Sequence, residues 1–235
     1  MHTFITWLPP REFSPTVLAA GLLTYARKLR CRGMALAAGL LVTTVLVNGC
    51  SRGPVAPPWH LLNITGGMPA LQFTLTRDDG QVVTQKDYLG KTVLLYFGYT
   101  HCTDVCPTTL ADLASILRKL GPAADLVRVL FVSVDPARDS PALLKTYVSA
   151  FGPWFVGLTG NQDQLLALTK RCRVAYRRGK LDASGNYTVY HSSMVFIFDR
   201  QGNARLLTSP GDKPTAITDD LKRLLSEQPL VSKSG

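Results

Sequence analysis

The sequence predicts an α/β domain, a central mixed sheet flanked by helices, on three observations. Two apolar stretches of strand length, within Lys91–Phe97 and Leu126–Val134, read as buried strands. Segments of helical periodicity alternate with them. Turn signals at Asp79-Gly80, Asp182-Ala-Ser-Gly185 and Gln201-Gly202 separate shorter strand patterns.

The elements follow in order. Leu71-Gln-Phe-Thr-Leu-Thr76 alternates apolar and polar residues, and with Gln81-Val-Val-Thr84 across Asp79-Gly80 it predicts a β-hairpin. Strand 91–97 leads into a helix over Pro107–Leu120, then strand 126–134. Pro141 opens a helix running to Ala150, as proline suits a first helical turn. A short strand at Trp154–Val156 precedes a helix over Asp163–Cys172. Val174–Lys180 and Tyr187–His191 form a second hairpin. Met194–Asp199 and Ala204–Leu207 form a third, and a last helix covers Thr215–Ser226. A βαβ unit followed later by ββα is the thioredoxin arrangement. Here it carries an extra N-terminal hairpin and an inserted helix-plus-hairpin.

The first fifty residues address the compartment. Arg27-Lys-Leu-Arg-Cys-Arg32 is cationic, and the fourteen residues Met34–Val47 carry no charge. A basic region, an apolar core and a small residue before the cut mark an export signal. Val47-Asn-Gly-Cys50 resembles a bacterial lipobox, despite Asn48, which makes Cys50 the lipidation candidate. The alternative is an uncleaved anchor, for which fourteen residues fall short of the span of about 20. The expected layout is a leader at 1–49, a lipid site and Pro-rich linker at 50–64, one domain at 65–228 and a tail at 229–235. The chain is then tethered to the membrane and faces the bacterial periplasm.

Five of the 26 Lys/Arg and one of the 16 Asp/Glu precede Cys50, leaving 21 basic and 15 acidic residues, a net of +6. The charge is spread out, with small clusters at Lys170–Arg173 and Arg177–Lys180. Export and this dispersion argue against nucleic acid as a partner. Beyond Cys50 only Cys102, Cys106 and Cys172 remain, too few for a disulfide-stapled scaffold.

Cys102 and Cys106 share one strand-to-helix turn, in Tyr99-Thr-His-Cys-Thr-Asp-Val-Cys-Pro107. Orphan amides at a helix N-terminus favour a thiolate there. If the segment is helical, a spacing of four puts both sulfurs on one face. Such a pair either holds a soft metal or cycles between dithiol and disulfide. Two thiolates select Cu(I) above all, and an imidazole completes the site. His60 lies near the linker, and His101 points away from its neighbour Cys102. His191 ends a strand whose following loop returns, in a thioredoxin-like fold, to the first helix's N-terminus. A lone histidine at a strand end is ordinarily a surface residue; this location favours a ligand. Asp135 and Asp139 follow a strand's C-terminal end, where helix capping competes with a site role. Cys172 reads as a small buried hydrophobe.

Tyr96-Phe-Gly-Tyr-Thr-His-Cys-Thr-Asp-Val-Cys-Pro-Thr-Thr-Leu110 resembles the signature of the Sco/SenC/PrrC family of copper-binding cytochrome oxidase assembly proteins. So do Val134-Asp-Pro-Ala-Arg-Asp-Ser-Pro141, Gly157-Leu-Thr-Gly160 and Tyr187-x-x-x-His191-Ser192. The similarity runs from about Leu71 to Leu225. It implies copper ligation by Cys102, Cys106 and His191. Tyr190 stands where family members often carry an acid, a difference that touches imidazole orientation rather than ligation.

The resemblance implies a membrane-tethered copper metallochaperone, not an enzyme, passing copper to the binuclear centre of cytochrome c oxidase subunit II. The alternative is a thiol–disulfide reductase that keeps the acceptor's cysteines reduced, with Cys102 the attacking thiol. Another copper chaperone or a thiol–disulfide oxidoreductase is a further possible partner. A peroxidase would need an activated thiolate beside an arginine, which the sequence does not show.

Overall fold

The computed structural model describes residues 57–227. The leader, Cys50, residues 51–56 of the Pro-rich linker and the tail lie outside the described residues. Among the described residues the ten strands are β1 (Leu62–Asn63), β2 (Thr74–Arg77), β3 (Val82–Thr84), β4 (Thr92–Gly98), β5 (Val127–Ser133), β6 (Phe155–Thr159), β7 (Tyr176–Arg178), β8 (Val189–His191), β9 (Val195–Phe198) and β10 (Ala204–Leu207). The helices are α1 (Val105–Leu120), α2 (Pro141–Ser149), α3 (Gln162–Arg171) and α4 (Pro214–Glu227).

Eight strands form one mixed sheet in the order β1-β10-β9-β4-β5-β6-β2-β3, while β7 and β8 pair separately. β4, β5 and β6 run parallel and the remaining pairs are antiparallel. The stretch β5-β4-β9-β10, with α1 crossing from β4 to β5 and α4 following β10, is the expected thioredoxin arrangement. The extra hairpin β2–β3 adds to the far edge beside β6, and the insertion is α3 with β7–β8.

β4 is buried throughout because both faces of the sheet are covered. Leu94 and Tyr96 face one core, with Leu110, Leu117, Leu144, Leu221 and Leu224 of the helices. Val93, Leu95 and Phe97 face the other, with Leu75, Leu165, Leu168 and Val189. The period of two along the strand makes this division. β4 is thereby fixed on both sides, and its C-terminal end is a firm platform for the cysteine loop.

Some boundaries differ from expectation. The first hairpin's ladder starts at Thr74, because the Leu71 amide donates to Gly202 O and the Phe73 amide to Gln85 Oε1. Gln85–Tyr88 forms a 3-10 turn capped reciprocally by Thr84 and Asp87. Trp59–Asn63 docks on the domain: Asp220 accepts from the Leu61 amide and sits 2.9 Å from His60 Nδ1, Arg223 stacks on Trp59, and β1 pairs with β10. Asp220 is buried and uses both oxygens in this contact.

Candidate metal centre

α1 begins at Val105, two residues before the proline that marked its expected start. Pro107 is tolerated there because its missing N–H falls among the orphan donors of the first turn. Cys106 is therefore helical and fully buried, whereas Cys102 lies in the preceding loop and is half-buried. The two sulfurs do not share a helix face. Instead the Cys106 amide donates to Cys102 Sγ at 3.3 Å, bringing a helix N-terminal N–H to that sulfur.

His191 closes the group. Its Nε2 lies 3.3 Å from Cys106 Sγ, although 85 residues separate them. The ligand atoms of Cys102, Cys106 and His191 all lie within 4.8 Å of one another. His191 Nδ1 is 2.9 Å from Ser192 O, and a carbonyl only accepts, so the ring proton belongs on Nδ1. Nε2 then offers its lone pair to the Cys106 thiol, or to a metal. The rings of Tyr96 and Tyr99 meet the imidazole edge-on at centroid distances of 6.2 and 5.8 Å. Burial lowers the His191 pKa, which favours the neutral, ligating form. Burial also pushes the Cys106 thiol up to about 12, so a metal must displace a proton to bind it.

Gly98 at the end of β4 makes this packing possible. A Cβ there would stand 2.5 Å from Phe131 Cε2 and 3.0 Å from Cys106 Sγ. Two thiols and a neutral imidazole converging on one point fit a soft metal ion. Cys102 opens onto a groove of about 620 Å³, lined also by Tyr99, Val105, Lys180, Tyr190 and His191.

The other candidates separate cleanly. His101 is exposed and contacts Thr100 Oγ1 at 3.1 Å, outside the trio. Cys172 is buried in the opposite core, its thiol also pushed up to about 12 by burial. Tyr190 is exposed, with the Arg177 guanidinium 4.2 Å from its ring centre. Asp139 does not cap α2; Ser140 does. The buried Asp139 accepts from the Thr100 amide (3.0 Å), the Thr100 hydroxyl (2.6 Å) and the Ser133 hydroxyl (2.6 Å), tying the cysteine loop to β5. Arg138 pairs with Asp135 rather than Asp139. Sequence reasoning left these loop residues ambiguous, because capping aspartates carry the same local pattern.

A SCO1/SenC family model matches residues 68–226. The chain belongs to the SCO1/SenC family. Among Sco proteins, the bovine mitochondrial SCO2 homolog is 37% identical over 153 residues, covering 64% of this chain and 58% of its own length. The chain spans about half the length of the curated relatives it matches. The copper-bound ScoI of Bradyrhizobium japonicum is 38% identical with a TM-score of 0.61, covering 66% of this chain and 98% of that structure. Copper-bound yeast Sco1 is 32% identical with a TM-score of 0.63, covering 68% of this chain and 91% of that structure. These Sco neighbours bear out the thioredoxin-like α/β expectation.

Proposed function

We propose that this Sco protein carries copper, bound by Cys102, Cys106 and His191, and delivers it to the binuclear copper centre of cytochrome c oxidase subunit II. The observation that carries the reading is the convergence of two sulfurs and one imidazole nitrogen within 4.8 Å at the end of β4. Further support comes from the copper named in the structures of its relatives and from the family's description as one of cytochrome c oxidase assembly proteins. Three ligands suit a low-coordinate soft ion. Cys102 is the sulfur on the groove, so exchange with an acceptor's thiolate starts there, while the buried Cys106 and the neutral His191 release last.

The thiol–disulfide reductase is the second reading. It is favoured by the Cys106 amide on Cys102 Sγ, which places a helix N-terminal hydrogen-bond donor on the sulfur of the accessible cysteine. Redox work does not require His191; copper capture does. Membrane tethering that faces the domain to the bacterial periplasm, through Cys50 or an uncleaved anchor, is part of this reading and rests on residues 27–50. No helix among the described residues is long and apolar enough to cross a membrane.

Anaerobic Cu(I) titration of the wild type, His191→Ala and Cys102→Ala separates the two readings. A single ion bound per chain, released far more readily in both variants, is the expected result. Wild-type affinity in His191→Ala, with disulfide-reducing activity intact, would replace the chaperone by the reductase.

A further inference from the structure

We propose that the loop between β5 and α2, residues 134–140, sets the distance between the thiols and the imidazole, and that Tyr187 is the positioning residue through which it holds His191. The inference rests on the copper-site reading above and assigns a role to residues outside the ligand set.

The hairpin β7–β8 carries His191 yet stands apart from the eight-stranded sheet. A two-stranded hairpin is marginal by itself, so its position comes from the three-residue link between β8 and β9 together with side-chain contacts. Tyr187, Val189 and His191 alternate with the exposed Thr188 and Tyr190, so the three turn toward the protein. Val189 is buried in the core, His191 reaches Cys106, and Tyr187 meets the loop.

That meeting is specific. The Tyr187 hydroxyl donates to Asp135 Oδ1 at 2.7 Å. Its ring lies between two guanidinium groups, Arg138 at 3.6 Å and Arg178 at 3.7 Å from the centroid. Arg138 is held by its ion pair with Asp135 and also lies 5.6 Å from the ring centre of Tyr99, which precedes the cysteines. The other end of the same loop holds the cysteine segment through Asp139 and Thr100. The Ser133 hydroxyl joins the two ends, donating to Asp139 and accepting from the Asp135 amide. One short, hydrogen-bonded loop thus grips the thiol side at Asp139 and the imidazole side at Asp135 and Arg138.

Groups that orient a metal ligand from outside its coordination shell are worth about 10–100-fold in metal affinity. Tyr187 acts one remove further from the ring, through Asp135, Arg138 and Arg178, so the low end of that range applies.

The test is a double-mutant cycle on the full chain: wild type, Tyr187→Ala, His191→Ala and the double variant, titrated with Cu(I) against a chromophoric chelator. Tyr187→Ala is expected to weaken copper binding about 10-fold. In the double variant its added effect should vanish, because Tyr187 acts only through His191. In the metal-free protein, exchange of the β7–β8 amides should quicken, with the global unfolding midpoint little changed. Should Tyr187→Ala fail to fold, Tyr187→Phe, which keeps both stacks and loses only the hydroxyl, takes its place, with a several-fold loss expected. Wild-type affinity in the Tyr187 variant while His191→Ala loses copper would overturn the positioning role and leave the copper site standing. A loss as large in the His191→Ala background as in the wild type would do the same. Undiminished affinity in His191→Ala itself would instead reject the ligand assignment.

Discussion

Asp139→Ala tests how the cysteine loop is fastened to the sheet. The carboxylate is buried and accepts three hydrogen bonds, from the Thr100 amide, the Thr100 hydroxyl and the Ser133 hydroxyl. Hydrogen bonds to charged groups contribute about 1.5–3 kcal/mol each, and donors left buried without partners add to the loss. Thr100 is only half-buried, so water recovers part of its share. A net loss of about 3–5 kcal/mol follows. At roughly 2–4 °C per kcal/mol for a domain of this size, the unfolding midpoint should fall by on the order of 10 °C. Asp139→Asn keeps one carbonyl oxygen for the Thr100 amide and Ser133, and its NH2 can donate to the Thr100 hydroxyl. Its loss should be about 1–2 kcal/mol. Calorimetry or thermal circular dichroism of the three proteins measures both. A midpoint in Asp139→Ala within about a degree of wild type, or equal losses in the two variants, would refute the three-bond account.

Two further outcomes follow from the geometry. Gly98→Ala drives a methyl into Phe131 and Cys106; overpacking of this kind costs about 1–3 kcal/mol, and Cu(I) affinity should fall because Cys106 Sγ is displaced. Equal affinity and stability in that variant would show that β4 yields freely, contrary to its two-sided burial. The second concerns acid. Because burial lowers the folded-state pKa of His191 below 6.5, the unfolded chain takes up this proton first as pH falls. Its contribution is therefore flat above about pH 6.5 and destabilises the fold progressively below it, until the folded-state pKa is passed. Urea unfolding at stepped pH should show a shallower acid decline in His191→Gln than in wild type; parallel declines would contradict the assignment.

The two-sided burial of β4 and β5 was legible because an apolar run of seven or so residues has few other homes. The hairpins were legible from their turn residues. α1's start was not: Pro107 signals a first helical position, yet the helix begins at Val105 because Cys102 Sγ takes the Cys106 amide. β1 is two residues long and has no periodicity to detect; it exists because Asp220, Arg223 and β10 hold the chain there. In the site, the donor types were readable from Cys102, Cys106 and His191 alone. Asp139 was not, since an aspartate just before a helix reads as a cap until its partners are known.

By itself the sequence determined which atoms can bind a soft metal and that a strand-to-helix turn presents two of them, because these depend on residue type and local periodicity. Tertiary structure decided the rest. The 3.3 Å approach of His191 to Cys106, the different exposure of the two sulfurs, and the grip of residues 134–140 on both sides of the site join segments far apart in the chain. Contacts of that kind depend on how the sheet brings its strand ends together, and local pattern carries no record of them.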